Sequence, residues 1–242
     1  MKKLIILVLL LCTSNALCQD WGASPENYVA HCYDWYGIKI SIPNDANATI
    51  DNIAWKHNVG YNNTLGGLFS LTVNWTNKEC IIMFPIVVDR LIKTGVNSSV
   101  DGYMGSINRE VLQSFDILDE DLKMRYNYAF CYNPGSHLTT ISGNEVRSST
   151  NADKICFYTL DCKEGMFRNT RGKPLSFVPE KYSKIIRVFF LKEGGYHFDA
   201  LLLMTDEAYK NKAEQLSLLI GMINFDEAKI KEVWDHTECA KQ

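Results

Sequence analysis

The sequence predicts an α+β fold built on a mainly antiparallel sheet within one domain, and three observations carry that expectation. Lys184 to Leu191 and Tyr196 to Met204 are apolar runs separated by Lys192-Glu193-Gly194-Gly195, the pattern of a β-hairpin. Behind them Tyr209, Ala213, Leu216, Ile220 and Ile223 recur at spacings of three and four, which places one apolar stripe along a helix. The chain has no internal repeat, low-complexity tract or linker. Residues 1–18 are read as a signal peptide and 19–242 as a single α+β domain.

The elements follow in chain order. Met1-Lys2-Lys3, the apolar run Leu4 to Leu11 and the polar and small residues after it have the three regions of a secretory leader. The apolar run falls short of the roughly 20 residues that cross a bilayer, and no later run is longer than the Pro-broken Ile81 to Val88, so no transmembrane segment is expected in the mature chain. Cleavage after Cys18 satisfies a small-x-small rule through Ala16 and Cys18 and is preferred to cleavage after Ala16. A lipid anchor on Cys18 is disfavoured by Leu17, because that modification wants a small residue before the Cys. The expected location is secreted or periplasmic.

Gly37 to Pro43 alternates apolar and polar residues and ends in a Pro turn, as a half-buried strand does. Leu71, Val73 and Trp75 alternate with polar residues, turn at Asn77-Lys78-Glu79 and continue into Cys80 to Val88, a second hairpin. Ile107, Val111, Leu112 and Phe115 predict a short amphipathic helix ahead of an acidic connection from Asp116 to Asp121. Tyr126 to Tyr132, Leu138 to Ile141 and Ile155 to Leu160 read as strands. Arg147 to Asp153 and Gly165 to Pro179 read as loops. After the last hairpin Thr205 is the expected N-cap, with Asp206 and Glu207 at the positive end of the helix dipole, and Phe225 to Asp235 a short final helix.

Composition narrows function mainly by exclusion. The chain is 46% hydrophobic and 22% charged, so it has the material for a core and lacks the signature of disorder. Its formal net charge is −3, which becomes −5 when the leader takes Lys2 and Lys3 with it; nothing there attracts a phosphate backbone, and no nucleic-acid partner is expected. Six cysteines remain beyond the leader, Cys32, Cys80, Cys131, Cys156, Cys162 and Cys239, an even number in an exported chain and hence disulfide candidates. Cys156 and Cys162 could pair locally if Thr159 to Asp161 turned. A metal is disfavoured because no second tight Cys or His pair accompanies them. Asn47, Asn62, Asn74 and Asn97 head Asn-x-Ser/Thr sequons.

No nucleophile elbow, His-Glu-x-x-His, phosphate loop or dinucleotide fingerprint is present, so no catalytic residue, cofactor or metal is assigned. Cys131 with His137 could make a nucleophile and base across a turn, and His197 with Asp199 share one strand face. These motivate the alternative reading of a secreted hydrolase with a site around His137 or His197. His31, Cys32 and Asp34 form one polar cluster without a second at ligand spacing. The densest recognition feature is aromatic. Trp21, Tyr28, Tyr33, Trp35 and Tyr36 fall close together, with Trp55 and Tyr61 downstream, and such rings suit stacking on sugars or a protein hot spot unless they pack the N-terminal segment on the sheet.

The strand Gly37 to Pro43 and the ending Gly194-Gly195-Tyr196-His197-Phe198-Asp199-Ala200-Leu201-Leu202-Leu203-Met204-Thr205, followed by an amphipathic helix and a short apolar strand, resemble the Mog1/PsbP-like proteins. That resemblance covers about a third of the chain and implies an α/β/α sandwich with an accessory or binding role. The expected function is that of an exported, disulfide-stabilised, non-enzymatic protein that binds another macromolecule, a protein partner or a glycan.

Overall fold

The computed structural model describes residues 24–59, 63–75, 79–85, 100–115, 134–169, 181–193 and 197–239. Helix α1 (Pro25–Tyr36) leads into strand β1 (Ile38–Ile40), the long strands β2 (Asn47–Val59) and β3 (Asn63–Trp75), β4 (Cys80–Pro85) and helix α2 (Val100–Ser114). A 3-10 turn at Gly135–His137 precedes β5 (Thr139–Ser142), α3 (Asn144–Thr150), β6 (Lys154–Asp161) and β7 (Phe167–Asn169). Then come β8 (Lys184–Leu191), β9 (His197–Met204), α4 (Asp206–Lys210), α5 (Lys212–Met222), β10 (Ile223–Phe225) and α6 (Glu227–Cys239). Eight strands form one sheet in the order β5-β6-β8-β9-β4-β3-β2-β7, and β1 pairs with β10 in a second, two-stranded sheet. Every pairing is antiparallel, which gives the α+β architecture expected.

Alternation along the strands sends side chains into two cores. On one face Val188, Phe190, Leu202, Met204, Ile82 and Val73 pack beneath α1, α3, α5, α6 and the small sheet. On the other, Ile185, Phe189, Leu201, Leu203, Ile81 and Met83 pack beneath α2. With apolar residues on both faces, β8 and β9 read as continuous hydrophobic runs, as strands do when helices cover both sides.

The last hairpin pairs Leu191 with His197 through Lys184 with Met204, and Thr205 Oγ1 accepts the Ala208 N–H at 3.1 Å as an N-cap. The helix behind it is broken at Asn211 into α4 and α5. Helix α2 begins seven residues before its first recognised apolar position. The sequence pattern does not predict β2 or α1, and α3 and β7 overlap the stretches Arg147 to Asp153 and Gly165 to Pro179 expected as loops. In α1 a run of aromatic side chains hides the spacing Tyr28, Cys32, Tyr36, and these three are its buried face. α3 is short and polar, with Val146 and Thr150 turned inward. The expected strand Tyr126 to Tyr132 and the acidic connection lie outside the described residues.

Cys32, Cys80, Cys156 and Cys162 form no disulfide, which corrects the disulfide expectation for these four. The turn that would join Cys156 to Cys162 is absent because β6 runs straight through Asp161. Six residues of extended strand separate the two α-carbons by about 20 Å, where a bridge needs about 6 Å. Cys32 and Cys156 also lie in different cores, on opposite sides of the sheet. Cys131 and the side chain of Cys239 lie outside the described residues.

The sheet bends where β4, β3 and β2 meet. Between the same two register marks β4 advances one residue (Phe84 to Pro85), β3 two (Phe69 to Leu71) and β2 three (Ile50 to Ile53). Each step outward inserts a residue, the defining feature of a β-bulge, and Asn52 takes a positive φ of 48° there while Ser70 Oγ donates to its Oδ1 at 3.2 Å. The consequence is a change of core: Leu71 belongs to the first, Phe69 and Ile53 to the second.

Candidate functional site

Two features concentrate chemistry. The first is a buried ionic cluster beneath α2. Arg187, in the middle of β8, is 9% exposed; its Nη1 meets Glu110 Oε1 of α2 at 2.8 Å and its Nη2 meets Asp199 Oδ2 of β9 at 3.0 Å. Tyr158 of β6 donates its hydroxyl to the same Glu110 oxygen at 2.5 Å. The guanidinium carbon lies 5.2 Å from the Trp55 ring and 5.0 Å from that of Phe189.

Trp55 is on β2, with β3, β4 and β9 between it and β8. Four strand spacings amount to about 19 Å across a flat sheet, so this contact exists only because the bulged hairpin curls over the face.

Burial opposes the charge on Arg187, but the adjacent Asp199 and Glu110 outweigh it and hold the guanidinium more firmly protonated than usual. For Glu110 burial wins: its carboxyl is raised above the ordinary 4.5 in spite of Arg187 and the Tyr158 bond. His197 stands against the Tyr103 ring of α2, centroids 4.4 Å apart, and burial lowers its pKa, with Asp199 opposing and Arg187 reinforcing. Its Nδ1, Trp55 Nε1 and Arg187 Nε are buried without a hydrogen-bond partner. His57 Nε2 lies 3.3 Å from the Ser114 carbonyl at the other end of α2, and burial lowers its pKa as well.

The second feature is an open groove of ≈ 810 Å³ between α1 and the β1–β2 corner. Val29, Ala30 and Tyr33 of α1 face Ile40, Ile42 and Pro43 across it. Local rules set both walls: Ser24 Oγ accepts the Asn27 N–H at 3.2 Å with Pro25 at the first position, and Gly37 ends α1 at φ 64° and turns the chain back into β1. Tyr33 donates to Asp226 Oδ2 at 3.3 Å, and Lys39 bridges to the same oxygen at 2.8 Å. The ammoniums of Lys39 and Lys229 lie 5.3 and 5.9 Å from the Tyr33 ring centroid.

The expected aromatic cluster is therefore not one platform. α1 turns Tyr28 and Tyr36 into the core, Tyr33 to the groove and Trp35, 55% exposed and stacked on His31, to solvent on another side. Trp55 is fully buried, and Trp21 and Tyr61 lie outside the described residues. His137 is exposed and its ring lies tilted against Phe115, centroids 4.3 Å apart; Cys131, its suggested partner, lies outside the described residues. His197 and Asp199 do share a face, which is the one enclosed by α2 rather than open to water. Sequence reasoning missed Arg187 and Glu110. The one available signal was a lone arginine amid Ile185, Ile186, Val188 and Phe189, since a charge in such a run needs a buried partner.

Among the described residues no group of three metal-ligating side chains occurs, and no helix is long and apolar enough to cross a membrane. Comparison with family models, with curated proteins and with solved structures finds no match.

Proposed function

We propose that this chain is an exported recognition module that binds a protein partner at the groove between α1 and the β1–β2 corner. The observation that carries the reading is the groove itself: an open, mainly apolar concavity of a size that accepts several side chains, while among the described residues Trp35 and Leu68 are the large apolar side chains that stand exposed elsewhere. A protein is favoured over a glycan because lysine ammoniums stand at the Tyr33 ring, while the aromatic neighbours that would complete a sugar platform point elsewhere. The buried cluster supports the same reading. Asp199 and Glu110 are engaged with Arg187 under α2, so the carboxylates nearest His197 already serve an internal ion pair. Membership of the Mog1/PsbP-like sandwiches belongs to this proposal, supported by the succession of hairpin, helix and short strand at the chain's end.

Ala30, exposed on the groove wall, offers a test. Tagged mature protein and an Ala30→Arg variant are used in parallel to capture partners from the native host's envelope and medium, and each captured protein is then purified and titrated. The expected outcome is a stoichiometric partner that binds the wild type and loses at least about tenfold in affinity, roughly 1.4 kcal/mol, for the variant. Equal binding to both would remove the groove from the reading.

A further inference from the structure

A second concavity, sharing no lining residue with the groove, lies between the end of α3, the turn after β8 and α6. It measures ≈ 600 Å³ and is lined by charge: Arg147, Lys192 and Lys231 on one side of the account, Asp153, Glu193 and Glu227 on the other, with Ile230 as an apolar patch. Hydrogen bonds and an ion pair tie its walls together. Asn151, which ends α3 at φ 56°, donates through Nδ2 to the Phe225 carbonyl just ahead of α6 at 3.0 Å. The Glu193 N–H donates to Asp153 Oδ2 at 2.8 Å, and Lys192, its side chain 12% exposed, reaches Glu227 Oε1 at 2.6 Å. A cavity framed in this way is largely formed before a ligand enters it.

The formal charges of the lining cancel, so net charge draws in neither a simple anion nor a simple cation. Unused hydrogen-bonding capacity of both signs is left. Arg147 spends one nitrogen on Asp153, at 3.0 Å, and Lys231 makes no ion pair among the described residues. Both oxygens of Asp153 are taken, by Arg147 and by the Glu193 N–H. Glu227 is engaged through Oε1 and Glu193 through Oε2, which accepts the Val100 N–H at 2.9 Å, leaving a second oxygen on each.

We propose that this cavity binds a small zwitterion with a free α-ammonium and a free α-carboxylate, an amino acid or a short peptide. The carboxylate goes to Arg147 and Lys231, where a charged acceptor meets charged donors that the fold leaves unused. The ammonium goes to the remaining oxygens of Glu193 and Glu227. A small apolar side chain on the ligand covers Ile230.

The probes are alanine, dialanine and trialanine, titrated against the full mature chain and followed by the shifts of its amide resonances; the tightest binder separates a single amino acid from a peptide. N-acetylated and C-amidated forms of that ligand each lack one terminal charge. Each should lose at least about tenfold in affinity, because charge-assisted hydrogen bonds go with the charge. Lys231→Gln disturbs no ion pair among the described residues, so the fold should survive it. It should weaken the intact zwitterion at least about fivefold and leave the amidated form within about twofold, since the carboxylate that Lys231 holds is then already gone. Ala30→Arg should leave all of these affinities unchanged, so that failure here and failure of the groove reading are read from different variants. No response to any of the three ligands up to about 10 mM, equal binding after either terminus is blocked, or binding indifferent to Lys231→Gln overturns the proposal.

Discussion

Arg187 has a residue-level consequence because its two carboxylates come from different layers, Asp199 from the sheet and Glu110 from α2. Arg187→Met would leave both acids buried without a counter-charge, a situation that costs about 3–5 kcal/mol. Urea unfolding should show that loss, and adding Glu110→Gln and Asp199→Asn to the Met variant should recover a large part of it, because no charge then remains unpaired. His57 and His197 make stability depend on pH. Both are held below the ordinary 6.5, so the native state keeps them neutral where the unfolded chain takes up protons. Their contribution is complete above about pH 6.5 and is lost as the pH falls through that value toward the native ones. Glu110 works in the opposite sense: its raised carboxyl contributes fully below about 4.5, and that part is lost as the pH rises through the native value. A His57→Gln, His197→Gln double variant isolates the imidazoles. From about pH 7.5 to about pH 5.5 the unfolding free energy of the wild type should fall more steeply than that of the double variant.

Among the elements, α1 and the last helical stretch show how far local rules reach. Gly37 combines a φ of 64° with a neighbour in the way: a β-carbon there would lie 2.7 Å from Ile230 Cγ1 and 2.8 Å from Ile230 N. The backbone of α6 cannot yield as a side chain end can, so Gly37→Ala should cost about 1–2 kcal/mol or more and displace α6 from α1. Unfolding free energy and amide exchange at the start of α6 measure this. Thr205→Ala removes a cap that the sequence predicts, with an expected loss of about 1 kcal/mol in urea unfolding that Thr205→Ser largely restores. The break at Asn211 was not legible, because Tyr209, Ala213 and Leu216 keep helical spacing straight through it. α1 was missed for a related reason. Its caps, Ser24 and Gly37, are ordinary signals, but the aromatic density between them reads equally as a binding cluster, and only the packing of Tyr28, Cys32 and Tyr36 separates the two.

At the scale of the molecule, two cores on either side of a curled sheet keep Cys32 and Cys80 apart from Cys156 and Cys162. Burial pushes the Cys32 and Cys156 thiols up to about 12, and Cys162, less deeply buried, up to about 11. Native protein treated with iodoacetamide near neutral pH should leave Cys32, Cys80 and Cys156 unmodified and label Cys162 slowly, whereas all four should react in urea. Peptide mapping distinguishes this from a bridged framework, in which none would react in urea without reductant.

The sequence by itself determined the fold class, the antiparallel terminal hairpin, the Thr205 cap and the apolar stripe behind it. Each of these depends on neighbours within a few residues, where periodicity and cap chemistry act. Tertiary structure alone decided that four cysteines stand apart, that His197 and Asp199 face an enclosed cluster, and that α1 and β1 bound a groove. It also decided the meeting of Trp55 with Arg187. One extra residue on β3 and two on β2 relative to β4 bend the hairpin across the sheet, and a bulge is a relation between strands that neither strand's own pattern contains.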